Sequence, residues 1–233
     1  MKKLILLLVL PLMVLVFNSC NKDDDGGNST RTTKLVKQIV WLDEEGTSYS
    51  FEYDNKGRIT KMIYVEQGDN PYILTYEYNT NSIIAKEGNN IVITYTLNSE
   101  GYVIQEEESY SSDRYITQYS YSNGYLSKTT EQYYYNGNPS STNVTNYTWE
   151  NGNMIKEESG EYHIIHYTYT DKENKMNINI YDMGDYIRFK GMTSKNYIES
   201  ERSNDQQKLY YSYVFDEDGY LREFEGADSY IYY

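Results

Sequence analysis

One cysteine, two histidines and three prolines stand among 233 residues, and each scarcity closes off a class of chemistry. A single thiol excludes an internal disulfide framework and a cysteine-rich zinc site. His163 and His166 are the only histidines. Their odd separation in an extended segment puts them on opposite faces, so they cannot share a metal or relay a proton. There is no Gly-x-Ser-x-Gly elbow and no glycine loop to cradle a phosphate. Positive charge is also short, with 21 Lys and Arg against 35 Asp and Glu. The net charge of −14 argues against a nucleic-acid partner, which needs a basic footprint. No stretch has the period of an amphipathic helix.

What the chain has in excess is tyrosine, 30 residues against five Phe and two Trp. Tyrosine and threonine fit pleated, half-buried surfaces, so the composition points to an all-β protein.

The N-terminus reads as an address. Met1-Lys2-Lys3 opens a run of apolar residues from Leu4 to Phe17. A bilayer span takes about 20 such residues, so the run fits a secretory signal peptide better. It ends at Phe17-Asn18-Ser19-Cys20, around the sole cysteine. This resembles the leader of a bacterial lipoprotein of the Bacteroides type, which implies cleavage after residue 19 and lipidation of Cys20. Several acyl chains on one residue would hold a domain on a membrane, at about 0.8 kcal/mol per buried CH₂. The following Lys22-Asp23-Asp24-Asp25 is similar to the export signal of such lipoproteins, which implies the outer face of the outer membrane. Residues 20–33 carry no apolar period and are expected to be an acidic flexible tether. Residues 34–233 are left as one folded domain.

That domain repeats itself. Turn residues recur at 57, 81, 101, 124, 152, 174, 196 and 219. Two positions after each stands an apolar side chain: Ile59, Ile83, Val103, Leu126, Met154, Met176, Ile198 and Leu221. A fixed period with a fixed register marks a repeat architecture. Gly, or Asn in its place, supplies the left-handed backbone of a tight hairpin, and a preceding Asp or Asn starts the turn. Phe51 and Tyr53 share a face while Glu52 takes the other. The pattern predicts an antiparallel meander of about eight hairpins. With no helix to cover it, the sheet must curl into a barrel-like or two-layer form.

The stretch Tyr53-Asp54-Asn55-Lys56-Gly57-Arg58-Ile59 resembles the YD repeat of RHS-type proteins. The resemblance implies stacked hairpins in a coiled sheet, and small surface lipoproteins of Bacteroides-type bacteria share this look. It implies a fold and a location and no activity.

Chemistry is sparse. No catalytic residue, metal site or cofactor is expected. Asp216-Glu217-Asp218-Gly219 lacks the further ligands of a calcium loop and fits a hairpin turn. Trp41 and Trp149 are the candidate ligand-binding residues, able to stack on a sugar or a partner surface. The expected function is a non-catalytic binding module for a glycan or a protein. The alternatives are a surface polysaccharide hydrolase using a carboxylate pair, or a structural envelope protein.

Overall fold

The computed structural model describes residues 34–41, 46–160, 163–176, 190–204, 206–224 and 228–233. The leader, the tether, Cys20, Lys22, Asp23, Asp24 and Asp25 lie outside the described residues. Every regular element among the described residues is a strand. The first seven are β1 (Val36–Trp41), β2 (Ser48–Tyr53), β3 (Ile59–Val65), β4 (Tyr72–Tyr78), β5 (Ser82–Glu87), β6 (Asn90–Leu97) and β7 (Val103–Tyr110). Five more follow, all longer except the fourth: β8 (Asp113–Ser122), β9 (Tyr125–Tyr135), β10 (Asn138–Glu150), β11 (Asn153–Ser159) and β12 (His163–Glu173). The chain closes with β13 (Asn196–Ser203), β14 (Leu209–Tyr210), β15 (Tyr213–Phe215), β16 (Leu221–Phe224) and β17 (Asp228–Tyr232).

Each strand from β1 to β13 pairs antiparallel with the next. β15, β16 and β17 continue the meander, and β17 pairs with β1. The sheet therefore curls until its last strand lies beside its first, as the repeat predicted. β14 pairs with β13, and β15 with β16. Between β14 and β15 the Tyr211 amide donates to the carbonyl of Glu199 in β13 at 3.0 Å.

A meander has two ends. At one, the turn end, β1 begins and the repeated turns lie. Asp54, Asn98 and Asp216 close these turns with the same bonds. The Oδ1 of Asp54 accepts from the amides of Lys56 and Arg58. Asn98 accepts from Glu100 and Tyr102, and Asp216 from Asp218 and Tyr220. Two further turns are Asn-Gly pairs with positive φ at both residues, Asn123-Gly124 (52° and 80°) and Asn151-Gly152 (52° and 83°). That is the backbone a two-residue hairpin turn with the twist of its strands requires. Asn174 and Asn196, expected as two turns, lie side by side at the turn end, just after β12 and at the start of β13, and residues 177–189 between them lie outside the described residues. Asn174 donates its amide to the carbonyl of Lys195.

The apolar residues after the turns face the core. Ile59, Ile83, Val103, Met176, Ile198 and Leu221 are buried, and Leu126 and Met154 half-buried. Tyr53, Leu97, Tyr121, Trp149, Tyr169 and Phe215 stand opposite the returning strand just after a register shift. Such a bulge adds one residue to the returning strand and increases its twist. It also explains why Ile59 and Met62, three apart, both reach the core.

Tyrosine abundance then acquires a cause. The hydroxyl of Tyr53 donates to the carbonyl of Val36 at 2.6 Å. Tyr78 reaches Ile59, Tyr121 reaches Val103, Tyr169 reaches Met154, Tyr213 reaches Ile198 and Tyr232 reaches Leu221, all at 2.5–2.8 Å. Each ring fills core space while its hydroxyl pins one hairpin to the strand before it. Phenylalanine would supply the area but leave the carbonyl without this donor.

The core is concentrated in β1 to β7 and β13 to β17. It includes Val36, Phe51, Leu74, Tyr95, Val103, Tyr197 and Leu221. Phe51, 1% exposed, stabilises by roughly 1.5–3 kcal/mol through burial. The opposite face carries cross-strand ion pairs: Lys61–Glu52 at 2.9 Å, Lys86–Glu77 at 2.6 Å and Arg114–Glu107 at 3.4 Å.

Candidate binding face at the far end of the sheet

Directly opposed residues in a ladder share a face. Starting from buried Tyr95, the register places Glu106 and Glu108 on the core face of β7. It then places Tyr115, Thr117 and Tyr119 on that face of β8, and Thr129, Glu131 and Tyr133 on that face of β9. Asn143, Thr145 and Tyr147 follow on β10, Glu157 and Ser159 on β11, and Tyr167 and Glu201 on β12 and β13. Toward the turn end these side chains are covered. Toward the far end they open to solvent, with Tyr115 47% exposed and Glu131 exposed. The face is thus a tyrosine surface studded with carboxylates.

Three features define its chemistry. The rings of Tyr115 and Tyr133 stack, with centroids 4.5 Å apart and planes 25° from parallel. The Tyr133 hydroxyl donates to Asp113 at 3.0 Å, a bond that raises its pKa to about 12 and fixes the ring. Deeper in, the Lys190 ammonium lies 2.8 Å from Glu106 and 5.0 Å over the Tyr119 ring, while Tyr119 donates to the same carboxylate. On β4, Tyr72 is 39% exposed. Burial, then the charges of Glu87 and Glu108, push its hydroxyl pKa upward. A second aromatic group stands at the same end, where Trp41 packs on Tyr49 and Tyr64 with centroids 5.9 and 6.5 Å away.

The two tryptophans therefore part company. Trp41 is half-buried at the far end. Trp149 is half-buried at the turn end, where its indole N–H donates to the carbonyl of Leu126 at 2.6 Å. It takes the bracing place that tyrosine holds in other repeats. The residues that sequence reasoning missed are Tyr115 and Tyr133. Nothing in their spacing distinguishes them from core tyrosines, and their exposure follows from the length of β8 and β9.

His163 pairs with Ser159 and His166 with Lys156, so they lie on opposite faces. The carboxylates of Asp216 and Asp218 hold the Lys34 ammonium, at 2.9 and 2.7 Å. No group of three or more His, Cys, Asp or Glu side chains that could hold a metal occurs among the described residues.

No family model and no curated protein matches the chain. Among solved structures, the fold is similar to the crystal structure of a porin-like protein from Bacteroides uniformis. The TM-score is 0.69 and the identity 15%, over 85% of this chain and 98% of that one. At that identity the likeness concerns the fold.

Proposed function

We propose that the protein is a surface lipoprotein whose β domain is a non-catalytic binding module for a glycan or protein, with its ligand taken at the far end of the sheet. Cys20 would carry the lipid, and Lys22 to Asp25 would direct the protein to the cell exterior. The observation that carries this reading is the division between the two ends. The chain enters at the turn end, where Lys34 bonds Asp216, Asp218 and the Tyr220 hydroxyl. The exposed Tyr72, Tyr115 and Tyr135 stand at the other end, away from Lys34. Tyrosine gives large contact area at low entropic cost, which suits recognition. Ion pairs on the outward face of β2 to β8 suit water, whereas a membrane-crossing barrel turns an apolar band outward. That supports an anchored domain over a spanning one. The reiterated Asp or Asn turn supports the YD-type reading of the repeat.

The test has two arms. Full-length protein, screened against glycans and envelope fractions, should retain a ligand saturably and lose it when Tyr115 and Tyr133 become alanine. No turnover of polysaccharide or peptide is expected. On cells, Cys20→Ala should abolish anchoring, and alanine at Asp23, Asp24 and Asp25 should hide the anchored protein from added protease. A hydrolase reading would centre on Glu157 and Glu201, which flank Tyr167 on adjacent strands. Hydrolysis abolished by Glu157→Gln would replace the binding reading.

A further inference from the structure

On the outward face, basic side chains are matched with acids across the strands. Lys61 meets Glu52, Lys86 meets Glu77 and Arg114 meets Glu107. From β11 to β13 the matching breaks down. Lys156 stands directly opposite His166, and His166 directly opposite Arg202, so a lysine and an arginine flank an imidazole in one line across the strands. His166 and Arg202 are exposed. Tyr210 lies opposite Ser200, two residues along β13 from Arg202, and is 62% exposed. Lys208 adds a further cation there, its ammonium 5.0 Å over the Tyr210 ring. Two carboxylates border the group, each already held. Glu158 takes the Lys156 ammonium at 2.6 Å, and Glu199 accepts from the Thr168 hydroxyl at 3.1 Å. His166, Arg202 and Lys208 form no ion pair with an acid among the described residues. Grouping basic side chains costs stability where pairing them with acids would add to it, and 35 acids stand against 21 Lys and Arg. A local rule broken without structural gain marks a place shaped by function.

We infer that the line Lys156–His166–Arg202, with Tyr210 beside it, binds an acidic polysaccharide through the carboxylates on its sugar rings. The Arg202 guanidinium offers a planar fork that meets a carboxylate with two parallel N–H bonds. The imidazole and the lysine extend the row of donors. Adjacent strands lie about 4.8 Å apart, so the line spans about 10 Å and meets an extended chain along its length. Tyr210 supplies an apolar ring face at the edge of the charged line, which suits a sugar ring bearing an acid. The net charge of −14 repels a polyanion at a distance, so its attraction has to come from this local grouping. The site lies on the face opposite to Tyr115 and Tyr133 and stands independently of the reading above.

The experiment titrates full-length protein in detergent micelles with fluorescein-labelled hexagalacturonate, and separately with labelled cellohexaose and hexaglutamate. Hexagalacturonate should bind saturably, and more weakly as salt rises. Arg202→Gln should weaken it by about 10- to 100-fold, the range of lost hydrogen bonds to a charged group. Tyr210→Ala should weaken it by about 2- to 10-fold. Arg114→Gln removes the same charge from a matched pair on the same face and should change it less than about 2-fold. The melting temperature of Arg202→Gln should hold or rise, since no ion pair is lost; a structural role for Arg202 would lower it. Tyr115→Ala should leave hexagalacturonate binding unchanged, so a failure here and a failure of the far-end reading are told apart. Absence of saturable hexagalacturonate binding would overturn the inference, as would equal losses in Arg114→Gln and Arg202→Gln. Cellohexaose or hexaglutamate bound as tightly as hexagalacturonate would overturn the ligand class.

Discussion

The indole N–H of Trp149 donates to the carbonyl of Leu126 at the position where, one repeat earlier, the hydroxyl of Tyr121 reaches the carbonyl of Val103. Two different side chains meet one requirement, a ring in the core with a donor at its far edge. The repeat is therefore conserved along the chain in its hydrogen bonding more than in its residues. Leu97 stands at the corresponding place in β6 and has no side-chain donor. The Leu97 main-chain amide donates to the carbonyl of Asn81.

Removing one brace should destabilise without unfolding. Tyr213→Phe removes the hydroxyl that donates to the carbonyl of buried Ile198, at a cost of about 1–3 kcal/mol. In a chain of this size that is roughly 2–4 °C of melting temperature per kcal/mol. Tyr135→Phe, at a site 58% exposed, should leave the melting curve unchanged. A thermal melt of the two variants checks both statements.

The braces should also set an alkaline limit. Burial first of all raises the Tyr169 hydroxyl from 10.0 to about 12, against the lowering effect of its bonds to Ser194 and Met154. Its folded-state pKa lies above the unfolded value, so its contribution is complete below pH 10. It is lost as the pH rises from there through about 12. Denaturation curves between those limits should fall less steeply for Tyr169→Phe, from a lower starting stability.

At acid pH the turns respond in the opposite sense. Burial would raise the carboxyl of Asp54, but bonds from the Arg58 amide and guanidinium and the Lys56 amide outweigh it and hold the pKa below the usual range. The contribution of Asp54 is present above the unfolded pKa and fades as the pH falls through the lower folded value. Asp54→Asn keeps an acceptor for both amides, as Asn98 shows in its own turn. It should fold normally and flatten the acid limb of the stability curve. Asp54→Ala should lose stability at every pH.

Much of this fold was legible because local chemistry repeats. The Gly and Asn anchors, and the apolar residue two places on, specify each hairpin and its register. Face assignment was harder to read. The bulge before Tyr53 and its counterparts reverses simple alternation, so Ile59 and Met62 look incompatible in sequence while both are buried. The role of Trp149 and the exposure of Tyr115 depend on which neighbouring strand lies alongside, which spacing alone does not convey.

One close approach fixes the segment that delivers Lys190. Gly191 has φ +97°, and a Cβ there would lie 2.7 Å from the Tyr121 ring and 2.9 Å from the carbonyl oxygen of Gly124. Gly191→Ala combines left-handed strain with a main-chain clash, so a loss of about 2 kcal/mol or more is expected. Denaturant titration measures the loss. A cost below about 0.5 kcal/mol would mean that the segment does not rest on the β8–β9 turn.

The claim that one end of the sheet holds the fold while the other takes the ligand is tested most directly by measuring melting temperature and ligand retention together on Tyr115→Ala and Tyr213→Phe. The ligand is whichever the wild-type protein retains from the glycan and envelope panel. Tyr115→Ala should lose retention at an unchanged melting temperature, and Tyr213→Phe should melt earlier with retention intact. Retention unchanged in Tyr115→Ala, or both properties falling together in both variants, would contradict the division of labour between the two ends.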